Sequence, residues 1–183
     1  MYLNPRQYKR VMKVALTGTP GTGKTTIAKE IAQRCGMTHI DVSKMAREVN
    51  AVIAQEKETL VVDQDIIGEK IRDMDNIIID SHFAHVFEVD LVFVLRCEPS
   101  ILFERLKRRN YSEEKIRENV MAEILDFCVL DALEYHAPEK IFEIHEDPVR
   151  QILKILDDPV EERSLVHGSR THFLTEENLA LVT

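Results

Sequence analysis

The chain has 183 residues, 44% of them hydrophobic and 31% charged, with a net charge of −8. That is the length and composition of one compact domain with a real core, and its acidic balance excludes a general nucleic-acid binder, which needs a basic face. Three widely spaced cysteines, Cys35, Cys97 and Cys128, lack any metal-ligand spacing and read as buried free thiols of a reducing compartment rather than a disulfide scaffold.

In chain order, "MYLNPRQYKR" is polar and basic with no apolar segment, so it reads as an N-terminal extension (1–11) and not as a secretory signal; Met12 is a second plausible start. Val11 to Thr17 is an apolar run that predicts a buried strand ending at Gly18. From Lys24 to Arg34, Ile27, Ala28, Ile31 and Ala32 recur at helical spacing, with Gly36 as a stop. Residues 37–42 predict a second strand, and Ser43 a helix cap. Asp63 predicts the N-cap of a helix from about 64 to 73. "NIIIDSH" (76–82) and "DLVFVLRC" (90–97) do not alternate, which predicts strands covered on both faces. Pro99 opens a helix to about Arg109, and Ser112 opens a longer one to about Tyr135. A last strand (140–145) and a helix from Asp147 and Pro148 to Leu156 follow. Residues 157–183 carry no sustained periodicity and predict a loosely attached or partly disordered tail. No apolar run approaches the roughly 20 residues of a membrane span, so the expectation is a cytoplasmic protein without membrane contact.

Five strands alternating with helices predict an α/β fold of three layers, α/β/α, around a mostly or wholly parallel sheet. Ligands of such sheets bind beyond the carboxyl ends of the strands. At the first such end stands Gly18-Thr19-Pro20-Gly21-Thr22-Gly23-Lys24-Thr25, which fits G-x-x-x-x-G-K-[ST] at every fixed position, with a strand before it and a helix after it. Glycines there let successive N–H groups converge on one anion, and the helix dipole adds to them. The pattern predicts a P-loop for a nucleoside triphosphate. Gly21 and Gly23 shape the cradle, Lys24 reaches the β- and γ-phosphates, Thr26 the α-phosphate, and Thr25 places its hydroxyl on Mg²⁺.

Asp80, at the end of "IIID", is the candidate second ligand of Mg²⁺, through water. His82 is a candidate to position water or phosphate. His85 has a weaker case, and His39, His136, His145, His167 and His172 have none. Asp65 to Gly68 matches D-x-x-G, but it falls in a predicted helix and no N-K-x-D accompanies it, so it reads as chance. Phosphoryl transfer is mostly positioning and charge neutralisation, which directs attention to Arg47, Arg105, Arg108 and Arg109. The run "RLKRRN" (105–110) is also the one strong local basic patch.

"LTGTPGTGKTT", "DVSKMAREV", "VVDQD", "IDSH" and "DLVFVLRCEPSILFERLKRRNYSEEKIRENVMAEIL" together resemble the adenylate kinase isoenzyme 6 family, small atypical nucleoside monophosphate kinases of archaea and eukaryotes. The resemblance covers about Met12 to Ile144. It implies a P-loop NTPase fold over 12–156 and transfer of the γ-phosphate of ATP to AMP, with ATPase activity beside it. It also implies a part in small ribosomal subunit maturation through a ribosomal protein of the platform, with contact to pre-ribosomal RNA. By motif it assigns ATP contacts to Gly21, Gly23, Lys24, Thr25, Thr26 and the lid arginine Arg109. Arg47 falls in the monophosphate-binding segment (about 41–64), the lid spans about 108–118, and Asp80 and His82 match the second nucleotide motif. Asn110 departs from the glycine common there, and nothing is carried over to the tail.

Two rival readings stay open at this stage. One is a ribosome-assembly ATPase with a vestigial monophosphate site. The other is a small-metabolite kinase of the same fold, such as a shikimate-type enzyme.

Overall fold

The computed structural model, which describes residues 12–56, 59–109, 111–157 and 171–183, begins with β1 (Lys13–Thr17), passes through the glycine-rich segment into α1 (Lys24–Cys35), and returns as β2 (Thr38–Asp41) and α2 (Val42–Glu48). A hairpin of β3 (Val52–Glu56) and β4 (Thr59–Val62) leads to α3 (Gln64–Arg72), β5 (Ile77–Asp80), a short 3-10 turn at Ala84–Val86, and β6 (Leu91–Leu95). Three helices follow: α4 (Pro99–Lys107), α5 (Glu113–Ile124) and α6 (Phe127–Tyr135). Then come β7 (Ile141–Ile144), α7 (Pro148–Asp157) and the short α8 (Glu176–Leu179). The expected N-terminal extension (1–11), Asn110 of the lid, and residues 158–170 of the tail lie outside the described residues.

The main sheet has the order β2-β5-β1-β6-β7, and every neighbouring pair is parallel. The expectation of a five-stranded parallel sheet is met. Its two faces are sorted by the period-2 alternation of strand side chains. Val14, Leu16, Phe93 and Leu95 pack on Ala28 and Ile31 of α1 and Ile152 and Ile155 of α7. Ala15, Ile79, Val92 and Val94 face Ala46 of α2, Ile67 and Ile71 of α3, and Ala132 of α6. Each fully buried Ile, Leu or Val contributes about 1.5–3 kcal/mol, and both faces need such residues because helices cover both. A third apolar cluster, beside the sheet, joins Leu102 and Leu106 of α4 to Ile116, Val120 and Ile124 of α5.

The start and stop signals mostly act as predicted. Gly36 closes α1 in the left-handed region, with φ of 66°. Asp63 accepts the N–H groups of Asp65 and Ile66 at the head of α3, and Ser112 accepts that of Lys115 at the head of α5. Gly68 of the D-x-x-G match lies inside α3, as its reading as chance requires.

Four expectations are corrected. The cap of α2 is Asp41, which accepts the Lys44 N–H at 3.0 Å, so the helix begins before Ser43. The hairpin of β3 and β4 was not foreseen: its strands are short, and Val52 and Ile53 are exposed, so no buried face marks them. The single helix expected from Ser112 to Tyr135 is two, broken at Asp126, whose φ is 57°. The break turns the Asp126 carboxylate onto the Arg96 guanidinium. Last, part of the expected loose tail is packed. Phe173 is buried with its ring 5.1 Å under the Arg96 guanidinium, and Val182 joins the third apolar cluster. No helix of the described residues is long and apolar enough to cross a membrane.

Candidate active site

β1 is the middle strand, and the chain moves to opposite sides of it before and after β5. The loop leaving β1 therefore opens at the switch point where such sheets form their crevice. Gly18 touches the end of β6: a Cβ there would lie 2.4 Å from the Leu95 carbonyl oxygen, and its φ is 131°. Gly21, at φ of 98°, presses on Leu102 and Leu106 of α4. Only glycine meets both demands, close approach and positive φ. Gly23 caps α1 in the left-handed region, so the first-turn N–H groups of α1 have no side-chain cap and face the loop's concavity.

Lys24 folds back over this cradle. Its Nζ donates to the carbonyl oxygens of Gly18 at 2.6 Å and Thr19 at 2.9 Å. Burial lowers its pKa to about 8, and the neighbouring charges of Cys128, Asp80 and Glu123 oppose that while Arg109 adds to it. Thr25 and Thr26 are exposed in the first turn of α1. A glycine-rich loop that runs into a helix start without a side-chain cap, with a partly desolvated ammonium over it, suits a polyanion.

Asp80 ends β5, next to β1, and is buried. His39 of β2 places its Nε2 3.3 Å from the Asp80 Oδ2. Sequence reasoning gave His39 no role, because the pairing of β2 with β5 that sets His39 beside Ile78 cannot be read from spacing. The His82 ring, partly exposed, packs edge-on to Phe83 at 4.9 Å. Desolvation of its inner side, followed by the Lys24 charge, lowers its pKa to about 4, so the ring is neutral near pH 7. The His82 carbonyl accepts the Thr17 hydroxyl at 2.9 Å. The same Thr17 Oγ1 meets the buried His85 Nδ1 at 2.9 Å, and the His85 Nε2 meets Asp131 at 2.7 Å. His85, given only a weak case from sequence, thus ties the Asp80–His82 loop to β1 and α6.

The arginines divide. Arg105 reaches back to the Thr22 carbonyl at 3.5 Å and to the Cys97 Sγ at 3.6 Å. Arg108 and Arg109 are exposed at the end of α4, and the expected lid (108–118) is in part helical: only residues 108–112 connect α4 to α5. Arg47, in the last turn of α2, donates to the Ser43 carbonyl of its own helix at 3.1 Å rather than toward the loop. Beyond the loop lies a cavity of about 400 Å³ walled by Thr22, Thr26, Ile27, Arg105, His145 and Pro148. Two features had no signal in the sequence. Arg96 is buried among three carboxylates, and Glu123 spans from Arg96 to Thr19 of the loop. Among the described residues no cluster of three or more His, Cys, Asp or Glu could hold a metal by itself.

Comparison with known proteins agrees with this geometry. The family model described as AAA domain matches residues 14–126. A protein of Pyrococcus furiosus named "Putative adenylate kinase" is 36% identical over 160 residues, covering 83% of this chain and 88% of its own. One of the same name from Archaeoglobus fulgidus is 39% identical over 159 residues, covering 87% and 84%. Among solved structures, a shikimate kinase from Acinetobacter baumannii superposes with a TM-score of 0.57 at 17% identity, over 84% of this chain and 95% of that one. A deoxyadenosine kinase from M. mycoides does so with a TM-score of 0.53 at 17% identity, over 80% and 100%. At such identities the structural likeness establishes the three-layer P-loop fold. The loop, the strand order and the sequence relatives converge: this chain belongs to the AAA domain family and, within it, to the family of these archaeal proteins.

Proposed function

We propose that this protein is a nucleoside monophosphate kinase that transfers the γ-phosphoryl group of ATP to AMP. The observation that carries the reading is the Gly18–Thr25 cradle with Lys24 over it and Asp80 on the adjacent strand. The names of the archaeal relatives support it. In the proposed complex the triphosphate displaces the Gly18 and Thr19 carbonyls from Lys24. The adenine base occupies the cavity beside Thr26 and Arg105. Arg109 and Lys24 neutralise charge as the phosphoryl group passes in line, and no covalent intermediate or separate base is required. Arg47 turns from Ser43 to the phosphate of AMP within the 41–64 segment. Thr25 and Asp80 present oxygen donors, which fit Mg²⁺; triphosphate and water oxygens complete such a shell, and the ion supplies charge neutralisation on the phosphates. His82, neutral near pH 7, orients a phosphate or a water.

The test is ADP production from ATP with and without AMP. Strong acceleration by AMP is expected; a rate indifferent to AMP contradicts the reading. Arg47→Ala is expected to raise the KM for AMP about tenfold, the worth of one exposed charge-assisted hydrogen bond, while hydrolysis without AMP stays unchanged.

Lys24 gives a pH signature. Its pKa in the free protein is about 8, and a bound triphosphate must raise it, since opposite charge favours the protonated form. ATP binding therefore takes up protons above about pH 8, where the free lysine has lost its own, and apparent affinity falls as pH rises through about 8. Calorimetry in buffers of different ionisation enthalpy is expected to find a proton uptake that is larger near about pH 9 than near about pH 7 and that Lys24→Ala abolishes.

The short connection at residues 108–112 excludes water from the site less completely than a long lid, which favours ATP hydrolysis as a side activity. Such hydrolysis is what the second reading requires: a cytoplasmic ATPase of small-subunit ribosome assembly with a vestigial monophosphate site, whose platform-protein and pre-ribosomal RNA partners rest on the family resemblance alone. A platform protein that stimulates hydrolysis in the absence of AMP is the result that favours it.

A further inference from the structure

Thr19 occupies a position where the phosphate-loop pattern accepts any residue, yet its side chain is 1% exposed and points away from the cradle into the protein. Its hydroxyl donates to Oε2 of Glu123, 104 residues onward on α5. The Cys128 thiol lies 3.9 Å from the same hydroxyl. Glu123 is itself held hard. It is 2% exposed, and its Oε1 accepts the Arg96 Nε at 2.9 Å and the Cys97 N–H at 3.1 Å. A buried carboxylate with three donors has one geometry and little freedom to leave it.

The other side of Thr19 faces the chemistry. Its carbonyl oxygen accepts the Lys24 Nζ at 2.9 Å, the Thr22 hydroxyl at 3.0 Å and the Thr22 N–H at 3.3 Å. One residue therefore joins a rigid anchor to the turn that shapes the cradle and, in the nucleotide-free loop, to the Lys24 ammonium. We infer that Glu123 is a positioning residue for phosphoryl transfer, acting through the Thr19 hydroxyl to fix the turn of the phosphate loop that Thr19 and Thr22 close. The inference rests on the phosphate-loop reading above and adds to it a residue of α5 that the loop's own pattern does not name. Loss of the contact lets the loop sag at Thr19 without removing any group that touches the nucleotide, so the transition state suffers more than ground-state binding.

The test measures ATP turnover, to AMP or to water, in Thr19→Val, Thr19→Ser, Glu123→Gln and the Thr19→Val/Glu123→Gln double variant. Circular dichroism fixes a temperature at which each is folded. Thr19→Val is expected to lower kcat about 10- to 100-fold with a smaller change in KM for Mg-ATP. Thr19→Ser, which keeps the hydroxyl, is expected to restore kcat. The double variant is expected to be slower than Thr19→Val by less than the factor Glu123→Gln costs alone, because the Thr19 contact is common to both while Glu123→Gln also disturbs Arg96 and Cys97. Wild-type kcat in folded Thr19→Val overturns the inference and leaves the pair a purely structural contact, whatever Glu123→Gln does to folding. Multiplying effects in the double variant overturn it equally. Turnover indifferent to AMP in the wild type strikes the kinase reading alone, since positioning is then still read in hydrolysis. A wild type with no turnover at all overturns both.

Discussion

Lys24→Ala is expected to lower ATP turnover by about a thousandfold or more while the fold survives. The ammonium sits directly on the loop's carbonyls, 2.6 Å from that of Gly18 and 2.9 Å from that of Thr19, where the triphosphate is proposed to lie. Stability behaves differently. The folded-state pKa of about 8 lies below the ordinary 10.5, with burial as the first cause. Between those values the unfolded chain binds more protons than the folded one, so stability rises with pH across that window, and the charged lysine costs stability at neutral pH. The alanine variant is therefore expected to melt no lower than the wild type in a thermal scan at pH 7. A folded Lys24→Ala protein with full turnover removes the phosphate loop from the chemistry.

Arg96→Ala is expected to be the most damaging single change to stability, by about 3–5 kcal/mol in urea unfolding. The guanidinium is 5% exposed and spends five hydrogen bonds: two on Glu123, one each on Asp126, Glu143 and the Thr171 carbonyl. Burial opposes its charge, but Glu123 and then Asp126 outweigh it and keep the group ionised. Alanine strands Glu123, Asp126 and Glu143 as buried or half-buried carboxylates without their cation. Lysine is no substitute, since its single point charge cannot meet a fork of partners on α5, β7 and the C-terminal segment. The variant also loses the contacts that hold Thr171 and Phe173, so residues 171–183 are expected to become open to protease while the sheet is still folded. Unfolding at the wild-type urea midpoint contradicts this.

The part of the molecule legible in the sequence is the part governed by local rules. The glycine positions of the loop, the non-alternating strands and the caps at Asp63 and Ser112 act over a few residues, and they place the loop that carries Lys24, and Asp80, at carboxyl ends of strands; that those strands are neighbours is seen only in the structure. What was not legible depends on partners far along the chain. Asp126 breaks the long helical pattern because Arg96, 30 residues earlier, draws its carboxylate. Glu123 meets Thr19 across 104 residues, and His39 meets Asp80 across 41. The tail gave no periodic signal because its anchors in 171–183 are irregularly spaced and of mixed kind: Thr171 and His172 bond to Arg96 and Asp126, and Phe173, Asn178 and Val182 are buried. Arg47 shows the opposite case: its pattern pointed to a substrate phosphate, while the side chain rests on Ser43 until something calls it away.

The central claim is that the phosphoryl group goes to a monophosphate and not to water. The direct measurement follows γ-labelled ATP with magnesium and AMP. Label is predicted to appear in ADP newly made from AMP, faster than in inorganic phosphate. Label confined to inorganic phosphate, at a rate AMP does not change, contradicts the account.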